Sequence, residues 1–178
     1  MDLTPRPILH IEDEDNDIHL LQRALVSAEV WQPVQVVKSV ARAYAYLQGE
    51  EPFAERIYYP LPGLILLDLS LPSFEGLEIL EWRQSHPGIK AIPALVLTAS
   101  NQAGEVRAAY EAGANGYLVK PPNFNGWVEL VKAIRIFWLT HNVFPVPPAR
   151  NGNVLEHHLN GNGNGTASRS APDRASAA

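Results

Sequence analysis

The chain has 178 residues, no cysteine and a formal net charge of −5. This length allows one core of ordinary size, and the absence of thiols excludes a cysteine nucleophile, a zinc–thiolate centre and a disulfide framework. The acidic balance argues against sequence-independent binding to nucleic acid, which requires lysine and arginine to neutralise phosphates. Because no apolar run reaches the ~18 residues of a membrane span and the N-terminus lacks a signal-peptide pattern, we expect a soluble, cytoplasmic protein.

The composition changes after Asn142. From Val143 onward the sequence is rich in glycine, asparagine, serine, alanine and proline, and such a segment cannot bury enough apolar surface to offset its chain entropy. We therefore predict a folded domain over residues 1–142 and an extended, largely disordered tail over residues 143–178.

Five short apolar segments have the length and the continuous hydrophobicity of strands that are covered on both faces. They are Ile8–Ile11, Val34–Val37, Leu64–Leu67, Ala94–Leu97 and Gly116–Val119. The helical patterns between and after them are a stripe of Ile18, Leu21 and Leu25, residues 41–47 capped by Ser39, residues 75–83, residues 102–112 capped by Ser100 or Asn101, and residues 125–141. This alternation favours an α/β fold with a doubly wound parallel sheet. The strand order that fits five such units is 2-1-3-4-5, as in flavodoxin-like folds.

Polar side chains follow four of the predicted strands. Glu12 and Asp13 follow the first strand, Asp68 the third, Thr98 the fourth and Lys120 the fifth. In doubly wound sheets the ligand site lies beyond the carboxyl ends of the strands, where the strand order reverses. We therefore expect these five side chains to meet at one edge of the sheet.

The charges of this predicted cluster do not balance. Two like charges ~4 Å apart repel by about 4 kcal/mol at an effective dielectric constant near 20, and Lys120 alone cannot neutralise Glu12, Asp13 and Asp68. Either one carboxyl group stays protonated or a cation binds, and carboxylates with open water positions suit Mg²⁺. A cation beside Asp68 and an ammonium opposite would favour the attack of that carboxylate on a phosphoryl group.

These residues and their surroundings resemble the receiver domain of two-component response regulators. The resemblance extends from about Pro7 to His141 and rests on the segments ILHIEDEDND, LILLDLSLPSFEG, ALVLTAS and GYLVKPPN. It implies that Asp68 accepts a phosphoryl group from a sensor histidine kinase. It also implies that Mg²⁺ is bound by Asp13 and Asp68 directly, by Glu12 through water, and by the backbone carbonyl of Ser70.

The resemblance assigns roles to further residues around the acceptor. Thr98 and the backbone amide of Ala99 would bind phosphoryl oxygens, and Lys120 would pair with the phosphoryl group. Tyr117 occupies the position of the aromatic switch residue of the family. The bond between Lys120 and Pro121 is expected to be cis, as in the family.

A narrower resemblance rests on the segments GEEPFAERIYYPLP and IRIFWLTHNVFP, which are similar to stand-alone regulators that pair with bacterial phytochrome kinases and are commonly homodimers. The last predicted helix also has a wider apolar arc than one contact with a sheet requires, including aromatic anchors. We expect a dimer or partner face made of Trp127, Val128, Ile136, Phe137, Trp138 and Leu139. The alternative is that the tail segment Val143–Val146 folds back over them.

The expected function is that of a single-domain response regulator whose output is a protein contact and whose chemistry is limited to self-phosphotransfer and autodephosphorylation. A phosphate sink or scaffold that serves a kinase other than a phytochrome remains the alternative. A haloacid-type phosphatase would need a second acid where Ser70 stands, and a nucleotide- or flavin-binding domain would need a phosphate-binding loop where EDEDND stands.

Overall fold

Strands and helices alternate through the computed structural model, which describes residues 5–71 and 76–143. The strands are β1 (Ile8–Ile11), β2 (Val34–Val37), β3 (Leu64–Leu67), β4 (Ala94–Thr98) and β5 (Gly116–Val119). The helices are α1 (Asp15–Ser27), α2 (Val40–Gln48), α3 (Gly76–Gln84), α4 (Pro87–Lys90), α5 (Ala103–Glu111) and α6 (Phe124–Ile134), and α6 continues as a π-helix over Arg135–His141. None of the described helices has the length and hydropathy needed to cross a bilayer. The predicted tail lies, apart from Val143, outside the described residues.

The five strands form one parallel sheet in the order β2-β1-β3-β4-β5. This confirms the predicted fold class, and the predicted strand bounds differ from the structure only at β4, which extends to Thr98. β1, β3 and β4 are buried along their whole length. Their burial on both faces accounts for the continuous apolar runs from which they were predicted.

Two hydrophobic clusters cover the two faces of the sheet. In β3, Ile65 and Leu67 belong to the cluster that packs against α2, α3 and α5, whereas Leu64 and Leu66 belong to the cluster that packs against α1 and α6. Successive side chains of a strand point to opposite faces, so one short apolar segment supplies both cores. The loops at the carboxyl ends of the strands are left to carry polar groups.

The structure confirms the predicted cap of α2 but not that of α5. The Ser39 hydroxyl accepts a hydrogen bond from the backbone amide of Arg42 (3.3 Å) and caps α2. At α5 the N-cap residue is Gln102 and no side chain caps the helix, so the expected cap by Ser100 or Asn101 is wrong. The Ser100 hydroxyl accepts instead from the amide of Gln102 (3.3 Å), in the turn before α5. Shortly after α5, Gly113 adopts φ +99°, a value that glycine reaches without a steric penalty.

The residues that the last described helix exposes differ from those predicted for the partner face. Trp127 is 1% exposed and lies in the core with Val131 and Ile134, because the spacing of these three residues places them on one side of α6. Trp127 therefore does not belong to a surface, and its assignment to the partner face was wrong. After Ile134 the π-helix adds residues to each turn, and Phe137 leaves the buried stripe and is 58% exposed.

The remaining residues of the predicted partner face divide into two groups. Ile136 is 58% exposed, like Phe137. Val128, Trp138 and Leu139 are partly buried and pack against the core on the α1 and α6 side of the sheet. The surface available to a partner is thus narrower than the sequence predicts.

A buried arginine joins three connections at the amino-terminal edge of β4 and β5. Arg83, at the end of α3, is 2% exposed. Its guanidinium donates hydrogen bonds to the backbone carbonyls of Lys90 (3.0 Å), Ile92 and Gly113. The short helix α4, which the sequence did not predict, is therefore tied to α3 and to the turn before β5.

We expect Arg83→Met to lower the free energy of unfolding by about 3 kcal/mol, because several buried carbonyl groups lose their donor. Urea unfolding followed by tryptophan fluorescence measures the change. Arg107→Met is the matched control, since Arg107 forms an exposed ion pair with Glu111, and it should change stability by less than about 0.5 kcal/mol. A loss below about 1 kcal/mol for Arg83→Met would contradict the role assigned to this residue.

Candidate functional site

The polar residues predicted for the site lie together at the carboxyl edge of the sheet. Glu12 follows β1, Asp68 follows β3, Thr98 ends β4 and Lys120 follows β5. Glu12 and Thr98 are fully buried, Asp68 is 2% exposed and the Lys120 side chain is 8% exposed. Asp13 is half-buried next to Glu12. The parallel order of the strands is what brings residues so far apart in the chain to one place.

Lys120 is the centre of the cluster. Its Nζ lies 2.7 Å from Glu12 Oε2, 2.7 Å from Asp17 Oδ2 and 2.8 Å from Asp68 Oδ2. An ammonium has three hydrogens to donate, so each one has a carboxylate partner. Burial by itself would lower the pKa of Lys120, but the hydrogen bonds to Asp17, Asp68 and Glu12 outweigh it and raise this pKa above its usual range. Lys120 is therefore charged at neutral pH.

Asp17 is the member of the cluster that the sequence analysis missed. The predicted site residues directly follow the strands, whereas Asp17 lies in the first turn of α1. Helical side chains lean towards the amino terminus of their helix, and α1 starts just beyond the carboxyl end of β1. The signal that could have identified Asp17 is this start of a helix within the acidic run EDEDND.

Both oxygens of the Asp68 carboxylate are oriented by donors. Oδ1 accepts from the backbone amide of Ser70 (2.9 Å), and Oδ2 accepts from Lys120. Gly76 at the start of α3 packs closely against the same loop, since a Cβ there would lie 2.9 Å from Leu69 Cα and 3.1 Å from the Asp68 carbonyl oxygen. The loop that carries Asp68 therefore has little room to move towards α3.

Two hydroxyl groups link the site to β4 and β5. Thr98 Oγ1 lies 3.1 Å from Ser70 Oγ. The Tyr117 hydroxyl donates to the backbone carbonyl of Ser100 (3.1 Å), and burial raises the pKa of Tyr117, so it stays a neutral donor. Ala99, between Thr98 and Ser100, is exposed.

The cis bond expected before Pro121 is absent. Among the described peptide bonds the cis X-Pro bond joins Glu51 to Pro52 instead. Lys120 contacts its three carboxylates without a cis bond after it.

The cluster fits a loosely coordinated cation better than a closed metal cage. Within residues 5–71 and 76–143 no group of three or more histidine, aspartate or glutamate side chains is arranged to hold a metal. Glu12 and Asp68 nevertheless direct one oxygen each at the same ammonium, and Asp13 lies beside them. A hard divalent cation that keeps several waters needs only one or two carboxylates, so these residues are compatible with such an ion.

A buried histidine lies beneath the cluster. His10 is 1% exposed, neither of its ring nitrogens has a hydrogen-bond partner among the described residues, and Nε2 lies 3.9 Å from Glu12 Oε2. Burial, helped by the charge of Lys120, lowers the pKa of His10 to about 4. Burial also raises the pKa of Glu12 to about 7, in spite of its hydrogen bond to Lys120.

These two shifts act on stability in opposite directions. The unfolded state protonates His10 near pH 6.5, well before the folded state does at about pH 4, so this group costs stability as the pH falls through that window. For Glu12 the folded state takes up its proton first, at about pH 7 rather than 4.5. Glu12 therefore adds stability as the pH falls, and this stability is lost as the pH rises through about 7.

We expect the stability of the unsubstituted protein to change little between pH 7 and pH 5, because the two contributions offset each other. In Glu12→Gln only the histidine contribution remains, and the free energy of unfolding should fall by about 2 kcal/mol over the same range. Urea titrations at several pH values measure both slopes. Equal slopes for the two proteins would show that Glu12 does not titrate in this way.

Comparisons with known proteins agree with this geometry. The family model for the response regulator receiver domain matches residues 8–135. The chain is 35% identical over 141 residues to response regulator Rcp1 of Synechocystis sp., covering 79% of this chain and 94% of Rcp1. It is 32% identical to the probable methanogenesis regulatory protein FilR2 of Methanothrix harundinacea, covering 80% of this chain and 90% of FilR2.

Two solved structures show the same similarity in three dimensions. The phosphorylated cyanobacterial phytochrome response regulator RcpA matches with a TM-score of 0.73 at 35% identity, covering 80% of this chain and 99% of RcpA. The Mn²⁺-bound form of Rcp1 matches with a TM-score of 0.71 at 34% identity, covering 80% of this chain and all of that chain.

Proposed function

The chain belongs to the response regulator receiver family, and on that premise we propose that it accepts a phosphoryl group on Asp68 from a sensor histidine kinase. The observation that carries the proposal is the contact of 2.8 Å between Lys120 Nζ and the buried Asp68 Oδ2, with Glu12 on the same ammonium. The protein would act in the cytoplasm through contacts with other proteins, and its chemistry would be limited to gaining and losing this phosphoryl group.

In the proposed reaction a carboxylate oxygen of Asp68 attacks the phosphorus of a phosphohistidine. The new bond joins this oxygen to phosphorus, the bond from phosphorus to the imidazole nitrogen breaks, and the imidazole leaves with the electron pair. The Ser70 amide and Lys120 orient the attacking carboxylate before the reaction. Phosphoryl transfer depends mainly on such positioning and on neutralisation of charge.

We assign the metal site to Asp13, Asp68 and the backbone carbonyl of Ser70, with Glu12 acting through water. When bound, Mg²⁺ would supply positive charge to the phosphoryl oxygens. The excess of carboxylates over Lys120 supports this assignment, because the cluster is left with net negative charge. Its hard oxygen ligands suit Mg²⁺ as they suit the Mn²⁺ of the Rcp1 structure.

The hydroxyl contacts offer a route from the acceptor to the surface. In our proposal the new phosphoryl group accepts hydrogen bonds from Thr98 and from the amide of Ala99, and Thr98 gives up its contact with Ser70. Tyr117 then leaves the Ser100 carbonyl and moves towards the space next to Thr98. The local change of charge thereby shifts the equilibrium between two conformations of the face formed by β4, α5, β5 and α6.

We expect Asp68→Asn to abolish acid-labile labelling of the protein by a small acyl phosphate in the presence of Mg²⁺, because no carboxylate oxygen remains to attack. Scintillation counting of the labelled protein measures the incorporation. Asp15→Asn is the matched control, since Asp15 is an exposed acid at the start of α1 that pairs with Lys38, and it should label normally. Undiminished labelling of Asp68→Asn would refute the assignment of the acceptor.

The identity of the partner kinase rests on the relatives. RcpA is a phytochrome response regulator, and this chain matches nearly its whole length. We therefore propose a phytochrome-type histidine kinase as the phosphodonor. The similarity to FilR2 keeps a different kinase as the alternative, and phosphotransfer measured in parallel from a set of purified kinases would distinguish the two.

For the partner surface we propose self-association through the exposed apolar residues at the end of the last described helix. Ile136 and Phe137 are each 58% exposed, and Val119 at the end of β5 is 44% exposed. Exposed aromatic and aliphatic side chains of this size are typical anchors of interfaces. We also propose that the folded domain ends near Asn142, so that the tail can be removed without loss of the fold.

Sedimentation should give a dimer for the full chain and for a chain ending at Asn142, and Phe137→Glu should make both monomeric because the interface would then bury an unpaired charge. Gln48→Glu, which adds the same charge at an exposed position of α2, should remain dimeric. A full chain that is monomeric while the shortened chain dimerises would show instead that the tail covers this surface.

A further inference from the structure

Asp17 contacts the reactive cluster without being one of the residues that the proposed reaction uses. Its Oδ2 lies 2.7 Å from Lys120 Nζ, as close as Glu12 and slightly closer than Asp68. The Asp17 side chain is 25% exposed, in contrast to the buried Glu12 and Asp68. Asp17 is therefore the one of these three carboxylates that reaches Lys120 from the side of the solvent.

The three hydrogens of the Lys120 ammonium limit the hydrogen bonds that a phosphoryl group can form with this residue. All three are donated to Glu12, Asp17 and Asp68, so a phosphoryl oxygen can bind Lys120 only if one carboxylate releases it. Formation of the acyl phosphate removes the negative charge of Asp68, which weakens its hold on the ammonium. Asp17 keeps its charge, and it also repels the incoming dianion.

We propose that Asp17 is a positioning residue that holds the Lys120 ammonium partly away from the phosphoryl group and thereby weakens the binding of that group at Asp68. This inference rests on the proposed function of the site. It adds a residue of α1 to a site otherwise built from the ends of strands. Asp17 would thus lower the stability of the phosphorylated form relative to the unphosphorylated form.

Asp15 provides a neighbouring residue for comparison. It lies two residues earlier in the same turn of α1, is an acid like Asp17, and pairs with Lys38 rather than with Lys120. Replacing either aspartate by asparagine removes one negative charge from the start of the helix. Only the replacement of Asp17 removes a charged partner of Lys120, because the amide oxygen of asparagine is a neutral and weaker acceptor.

The first experiment measures the affinity of beryllofluoride, a non-covalent substitute for the phosphoryl group, by ¹⁹F NMR in the presence of Mg²⁺. Asp17→Asn should bind it about fivefold more tightly, the change that an ion pair at the edge of solvent typically carries. Asp15→Asn should stay within about twofold of the unsubstituted protein. Asp17→Glu, which keeps the negative charge at this position, should bind about as weakly as the unsubstituted protein.

The second experiment needs neither metal nor phosphoryl group. NMR at a fixed pH should show faster hydrogen exchange of the Lys120 ammonium in Asp17→Asn than in the unsubstituted protein, because a carboxylate partner is lost. Asp15→Asn should leave this exchange rate unchanged. Asp17→Ser is a second variant for both experiments should Asp17→Asn unfold, and urea titration establishes that each variant is folded.

The outcomes separate this inference from the proposed function. If the unsubstituted protein binds no beryllofluoride, both are overturned. If it binds but Asp17→Asn binds equally or more weakly, or if the hydrogen exchange of the Lys120 ammonium is not faster, only the role of Asp17 is overturned. Tighter binding together with faster hydrogen exchange of the Lys120 ammonium, both confined to substitutions that remove the charge of Asp17, supports the role of Asp17.

Discussion

The ammonium of Lys120 sits among carboxylates that reach it from β1, α1 and β3. Without it, Glu12 and Asp68 would be buried next to each other with no positive partner, and like charges ~4 Å apart repel by about 4 kcal/mol. The order of the sheet makes the arrangement possible, because β5 must end on the same edge as β1 and β3. The fold and the site therefore depend on the same contact between one lysine and several acids.

One lysine does not neutralise this cluster, and the excess negative charge can be reduced in two ways. Burial raises the pKa of Glu12 to about 7, so part of the charge can be removed by a proton. A divalent cation would remove more, and its positive charge nearby would favour the deprotonated form of Glu12. The proton on Glu12 and the cation thus compete for the same negative charge.

Much of the fold and of the site could be predicted because both follow from features that are local in the sequence. The continuous apolar run of β3 requires cover on both faces, and residues after parallel strands, such as Asp68 and Lys120, must share an edge. Asp17 was missed because its position depends on the direction of α1. Trp127 was misplaced because its spacing with Val131 and Ile134 places it on the buried side of α6. The metal ligands and the tail stay predictions.

The network of Arg83 has a consequence for how a signal could travel. Arg83 binds the carbonyls of Ile92 and Gly113, so it anchors the chain before β4 and the turn after α5 at the edge remote from Asp68. A nine-residue helix such as α5 is about 13 Å long. With the end of α5 held through Gly113, a movement of this helix would be a tilt about that end. The widest swing would then fall at its beginning, beside Ser100 and Gln102, where a docking protein would sense it.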